Sequence, residues 1–347
     1  MSFNYLEKSY SQIKELNESV CYINNSFQDF TSLDKYLYII INQWNRDYPL
    51  PSLPNSILVL QINCNYDFHL NNLPSSIEIL IISCKYPYPL DNLPLNLYQL
   101  EIYDVFCRIT YEYSLNNLPE SIKILKINNT KNQLSYNLPI GIKQLDFTIK
   151  TFADNQVIYP SELEILNISE YVQYESNNYL TIQEEDIRLE TYYNLLNLPI
   201  TLRILYLPSI KISNIDIILK RLIHLEKLYI PFNFNNEILE FPPNLKYLYL
   251  DYGYNYKVVN LPSTLNFLSI GNYTKSLEAI ATSNIIHLET DDKFIPLIEY
   301  LPTSLIKLSI IETHHQLNEI KKLYPKLEIN TMLDLDYWES QIDYCRE

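Results

Sequence analysis

The chain has 347 residues, 47% hydrophobic and 19% charged, a balance that fits a folded protein and excludes wholesale disorder. Its formal charge of −15 and pI near 4.8 argue against surfaces that track phosphate backbones or anionic membranes, since both need clustered Lys and Arg. No run of 18 apolar residues occurs, so no transmembrane helix is expected, and five scattered cysteines are too few for a disulfide framework.

In chain order, the opening Met1-Ser2-Phe3-Asn4-Tyr5-Leu6-Glu7-Lys8 lacks a basic stretch followed by an apolar core. It does not read as a signal peptide, and a cytoplasmic location is expected. Residues 1–32 carry no repeat. With Ile13, Leu16 and Val20 at helical spacing, they are expected to form an N-terminal cap. A weak repeat unit starts at Leu33, with Leu37 and Ile40 in register.

The pattern then becomes regular. Leu53-Pro54-Asn55-Ser56-Ile57-Leu58-Val59-Leu60-Gln61-Ile62 returns twenty residues later from Leu73 to Ile82, and again from Leu93 to Ile102. Further units start at 118, 138, 159, 198, 221, 241, 261, 281, 301 and 323. Ten of the 19 prolines take the second position. A fixed 20-residue step marks a solenoid, in which each unit buries its apolar side only against its neighbours. Proline at the second position fixes φ and disfavours a helix there, and the alternation at Val59-Leu60-Gln61-Ile62 is the period of a half-buried strand. Strands are predicted near 59–62, 79–82, 99–102, 245–250 and 265–270. A third apolar ladder, three residues before each unit, runs through Leu50, Leu70, Leu90, Leu115, Leu195, Ile218, Ile238, Val258 and Ile298.

The predicted fold is therefore an α/β repeat solenoid. It is a right-handed curved superhelix with short parallel strands on its concave face and turns, extended segments or short helices on its convex face. About 13–14 repeats of ~20 residues span 33–330. An acidic insertion at 169–197, net −5 over its charged residues, reads as an edge loop. Convex connections are short and rich in Pro and Asn from 63 to 160. Helices are predicted at 213–222, 276–281 and 316–323, the last stopped by Tyr324-Pro325. Residues 331–347 are expected to form an acidic C-terminal tail or cap.

The Leu-x-x-Leu-x-Ile/Leu core of each unit resembles the leucine-rich repeat. Leu261-Pro262-Ser263-Thr264-Leu265-Asn266-Phe267-Leu268-Ser269-Ile270-Gly271, preceded by Tyr254-Asn255, resembles the FNIP repeats abundant in amoebozoans and giant DNA viruses. Phe241-Pro242-Pro243-Asn244-Leu245-Lys246-Tyr247-Leu248 is also similar to the 20-residue repeats of bacterial leucine-rich effectors. The resemblance covers roughly 33–330 and implies a protein-binding scaffold. FNIP relatives often carry an N-terminal F-box, the mark of a ubiquitin-ligase adaptor. Residues 1–32 are too short for one and lack its Leu-Pro-x-Glu opening, so an adaptor role here requires a ligase recruited in trans.

Chemistry is sparse. His69, His224, His287, His314 and His315 show no His-x-x-x-His spacing, and no Cys-x-x-Cys occurs. The glycines Gly141, Gly253 and Gly271 are isolated, so no phosphate loop is present. No enzyme, metal site or cofactor is expected. The candidate is a surface for a protein partner. The position between the two core residues of each strand carries Gln61, Ile81, Glu101, Lys126, Asp146, Asn167, Tyr206, Tyr229, Tyr249 and Ser269 in turn. The outward position before it carries Ile204, Lys227, Tyr247 and Phe267 in the later units. Tyr206, Tyr229, Tyr247, Tyr249 and Phe267 are thus expected to form an aromatic patch across four strands, suited to anchoring a partner. The competing reading is that these rings only stabilise the sheet by cross-strand contact. The acidity of the chain favours a basic partner.

Overall fold

The computed structural model describes residues 20–24, 33–44, 48–83, 86–102, 111, 113–127, 138–149, 158–170, 195, 197–208, 212, 214–231, 234, 236–250, 254, 256–271, 278–290, 301–311 and 317–332. The chain divides into two compact units, residues 1–163 with 170–189 and residues 164–169 with 190–347. The first contains β1 (Val20–Ile23), β2 (Tyr38–Ile41), β3 (Val59–Ile62), β4 (Ile79–Ile82), β5 (Gln99–Ile102), β6 (Ile124–Ile127) and β7 (Gln144–Ile149). The second contains β8 (Ile165–Glu170), β9 (Ile204–Tyr206), β10 (Lys227–Ile230), β11 (Tyr247–Leu250), β12 (Phe267–Ile270), β13 (His287–Thr290), β14 (Lys307–Ile311) and β15 (Glu328–Met332). Within each unit every strand pairs in parallel with the next, so each unit is a parallel-strand solenoid.

The Leu-Pro-x-Ser-Ile signature makes the corner that leads into each strand. At all ten signature prolines the proline carbonyl accepts the N–H three residues on, at 3.0–3.3 Å, from Ile57 on Pro54 to Leu305 on Pro302. Proline's fixed φ suits the turn, and its missing N–H is not needed there. The fourth-position hydroxyl ties the corner to the coil before it. Ser76, Ser121 and Ser304 donate to the carbonyls of Ile57, Leu97 and Ile285, each at 2.7 Å, and Thr264 donates to that of Leu245 at 2.8 Å.

Alternation then sorts each strand. Its second residue points inward in strict register, Leu60 to Leu80 to Leu100 to Leu125 to Leu145 in one unit. In the other unit the ladder runs from Leu166 through Leu205, Leu228, Leu248, Leu268 and Leu288 to Leu308. All twelve leucines are fully buried. The third apolar ladder closes the core: Leu70, Leu90, Leu115, Leu195, Ile218, Ile238 and Val258 are buried, and Leu50 is half-buried.

Buried aromatics seven residues ahead of a unit form a further ladder. The hydroxyls of Tyr66, Tyr86 and Tyr254 accept the backbone N–H of Leu50, Leu70 and Ile238 in the preceding coil, at 2.9, 3.0 and 3.2 Å. Each bond satisfies a main-chain donor inside the protein, where leaving it unpaired is costly. Tyr111 and Phe234 hold the same place and are also buried.

The α-helices among the described residues are short: α1 (Ile215–Arg221), α2 (Glu278–Ala281) and α3 (Leu317–Leu323), lying where helical spacing predicted them. No helix among the described residues is long and apolar enough to cross a membrane. At both ends of the array the register differs from expectation by one residue. Ile39, not Ile40, aligns with Leu60, so Ile39 and Ile41 are fully buried while Ile40 faces outward beside Gln61. Ile329 aligns with Leu308, which moves the last unit's start from 323 to 322 and leaves Leu323 exposed on α3. Since side chains alternate, a one-residue slip exchanges the two faces. Val20 opens a strand rather than closing a helix, because Cys21 and Ile23 are the residues that face the core. Ile13, Leu16, Cys84, His314, His315, Ile298, most of the 169–197 insertion and residues 333–347 lie outside the described residues.

Candidate partner-binding surface

The outward strand faces of the two units differ in chemistry. In the first unit, Glu101, Lys126 and Asp146 align across β5, β6 and β7, with Lys126 Nζ 3.3 Å from Glu101 Oε1. Gln99 Nε2 donates to Glu101 at 2.6 Å, and Gln144 Nε2 donates to both oxygens of Asp146 at 3.2 Å. Burial pushes the Asp146 carboxyl up to about 6, against the opposing pull of Lys126 and Gln144. Next to this block, Tyr38, Val59, Ile79 and Ile81 pack together and are buried. The charges of this face are paired with one another, while Gln99 Oε1 and Gln144 Oε1 are buried without a hydrogen-bond partner.

The second unit carries the five sequence-predicted rings. Tyr206, Tyr229 and Tyr249 occupy equivalent positions of β9, β10 and β11. Their rings stack nearly parallel, at 4.0 Å and 4.2 Å between centroids and 8° between planes in each pair. Residues opposite one another on adjacent strands are one strand spacing apart, and flat rings close that gap by face-to-face stacking. Phe267, from the preceding outward position of β12, meets Tyr249 at 4.9 Å and Tyr247 at 6.0 Å. The four tyrosines are half-buried and Phe267 is 8% exposed. All five are therefore in one contiguous row. Lys227 Nζ lies 5.2 Å from the Tyr247 ring centroid, within cation–π range.

The row extends further than sequence reading placed it. His287, on β13, meets Phe267 edge-on at 4.8 Å and an 84° interplanar angle, and its Nε2 is 2.9 Å from Ser309 Oγ on β14. Burial, with Lys307 beside it, lowers the His287 pKa below its ordinary value. A histidine beside a serine at this distance has the reach of a base and nucleophile. The neighbouring main-chain N–H groups, however, are held in the parallel ladder and are not available to stabilise an oxyanion. The remaining signal for His287 was its place at the outward position of its strand, in line with Tyr247 and Phe267.

Below this face, Arg203 Nη2 pairs with Glu226 Oε1 at 2.7 Å, and Lys246 Nζ with Glu226 Oε2 at 3.2 Å, linking three successive coils. Burial pushes the Glu226 carboxyl up, but hydrogen bonds from Arg203 and Lys246 outweigh it and hold the pKa below the ordinary value. Among the described residues no group of three or more His, Cys, Asp or Glu is arranged to hold a metal ion.

Comparison with known proteins matches residues 234–273 to the family described as FNIP Repeat. That segment holds Phe234, β11, Tyr254 and β12. No protein of curated function matches the chain. Among solved structures, the chain is similar to CroV588, a circular leucine-rich-repeat protein of the giant virus CroV, at 18% identity and a TM-score of 0.41. It is similar to YopM from Yersinia enterocolitica at 20% identity and a TM-score of 0.38. A leucine-rich-repeat protein of Leptospira interrogans is similar at 18% identity and a TM-score of 0.31. These alignments cover 85%, 82% and 86% of this chain, and 57%, 61% and 90% of the respective structures. The chain spans less than two thirds of the length of the first two. Residues 234–273 thus match the FNIP repeat, within the parallel-strand solenoid of the second unit.

Proposed function

We propose that the protein is a non-enzymatic scaffold that binds a protein partner through the outward sheet face of its second unit. The observation that carries this reading is the contiguous row of the half-exposed Tyr206, Tyr229, Tyr247 and Tyr249, backed by the buried Phe267. Tyrosine combines large contact area with a polar tip and few rotatable bonds, which makes it a favoured anchor. Four adjacent strands hold these rings in fixed register, so little conformational freedom remains to be lost on binding.

The test is capture of partners on the immobilised full-length chain, comparing wild type with a folded Tyr229→Ala, Tyr249→Ala variant and a Gln61→Ala control on the first unit. The reading expects a protein recovered by wild type and by the control, and lost from the tyrosine variant by about thirtyfold or more, or ~2 kcal/mol. Equal recovery by all three chains would leave the rings with a purely stabilising role.

A further inference from the structure

The row of outward side chains drops at Ser269. In register, Tyr249 on β11 and Glu289 on β13 flank this small residue, and Phe267 and His287 stand at the outward position before it. The Ser269 hydroxyl donates to the Glu289 carboxylate, which draws that group from β13 toward β12 and the rings. We propose that Glu289, with Tyr249, Phe267 and His287 around it, receives a lysine or arginine side chain of the protein partner. This rests on the reading that the second unit's outward face is the docking surface, and it names the chemistry of one contact there.

Three observations carry it. First, Glu289 is half-buried between Ser269 and Ser309 of the adjacent strands, where an ionised carboxylate is less well solvated than at the surface and gains from an incoming cation. Its pKa is raised by burial, with the Ser269 hydrogen bond and Lys307 opposing. Second, the same face already accommodates an ammonium on a ring, Lys227 over Tyr247 at 5.2 Å. Third, the cation that faces Glu289 from within, Lys307, is shared with Glu328. Lys307 Nζ lies 3.8 Å from Glu328 Oε1, His287 has its pKa lowered, and the whole chain carries −15. An acidic partner would meet repulsion from Glu289 and from the net charge of the chain, whereas a basic side chain gains a carboxylate and aromatic walls together.

Fluorescein-labelled twelve-residue Gly-Ser peptides bearing four Arg, four Lys, four Gln or four Glu test this by anisotropy on the full-length chain. The Arg and Lys peptides are expected to bind at low salt and the Gln and Glu peptides to remain free. Glu289→Gln should weaken the Arg peptide at least about tenfold. Glu278→Gln, which makes the same charge change on exposed α2, should change it less than twofold. Equal losses from the two substitutions would mean attraction by net charge alone, and no loss from Glu289→Gln would remove the site; either result overturns the inference. Circular dichroism melts confirm that both variants are folded, and a Glu289→Lys variant that still binds the Arg peptide would overturn it independently. If Tyr229→Ala, Tyr249→Ala abolishes partner capture while Glu289→Gln leaves it intact, the docking face stands and this contact falls.

Discussion

Thr290→Val is expected to make the protein more stable, against the usual direction of a core substitution. Thr290 is the fourth residue of β13, in register with Ile270 and Ile310, and is fully buried. Its Oγ1 has no hydrogen-bond partner. A buried hydroxyl left unpaired costs about 1–3 kcal/mol, and valine keeps the branched shape while replacing the hydroxyl with a methyl group. The expected gain is therefore about 1–3 kcal/mol. Thr290→Ser keeps the hydroxyl and deletes the methyl, so it should lose about 1 kcal/mol. Because each coil is supported mainly by its neighbours, the change should be read locally as well as by urea unfolding. Amide hydrogen exchange in β12–β14 should slow by about tenfold for each 1.4 kcal/mol gained, with β2–β5 unchanged. A Thr290→Val protein that is equally stable or weaker would show that the hydroxyl has a partner and that the inward ladder is not uniformly dry.

Three more outcomes follow from the same physics. Leu228→Ala, at a fully buried rung between Leu205 and Leu248, should cost about 2–5 kcal/mol in urea unfolding, and a loss well below 1 kcal/mol would contradict the register. Tyr66→Phe removes the acceptor for the Leu50 N–H and should cost about 1–3 kcal/mol; an unchanged midpoint would mean the bond contributes nothing. Asp146 has a folded-state pKa of about 6 against an ordinary 3.8, so the folded protein binds its proton more readily and the ionised carboxylate costs stability above pH 6. Asp146→Asn should accordingly stabilise by about 1–3 kcal/mol at pH 8 and by nothing near pH 3.5, and a gain that does not vary with pH would refute the assignment.

The parts of the fold legible in the sequence are those that recur. Leu60, Leu80 and Leu100 share one face because a 20-residue period returns the second strand residue to the same place in every coil. The aromatic row was readable by the same arithmetic, since Tyr206, Tyr229 and Tyr249 occupy one position in three successive units. Periodicity fails where it has no second copy to check against. At Leu33 and Leu323 an apolar residue happens to stand one place from the true register, and strand pairing, not residue type, decides which face it takes. The tyrosine ladder was hidden for a different reason. With 32 tyrosines in the chain, Tyr66, Tyr86 and Tyr254 carry no compositional signal, and each acts on a backbone donor 16 residues earlier. Tyr66, Tyr86 and Tyr254 are thus core, which sharpens the distinction between those residues and the half-exposed tyrosines of the outward row.

The two outward faces show how one repeat can serve different ends without disturbing its core. Inward residues are fixed by packing, because a leucine at 0% exposure has neighbours on every side and no substitute of another size fits without cost. Outward residues meet only their cross-strand neighbours, so their identity is free to vary unit by unit. On β5–β7 that freedom yields Glu101, Lys126 and Asp146, whose charges are paired with one another and with the Gln99 and Gln144 amide N–H groups. On β9–β13 it yields rings that consume each other's faces by stacking but leave the row half-exposed, ending at a carboxylate short of solvent. A surface whose charges are already paired gains little from a charged partner. A surface with accessible aromatic area beside an under-solvated charge gains both burial and pairing, and that difference is why the candidate interface is assigned to the second unit.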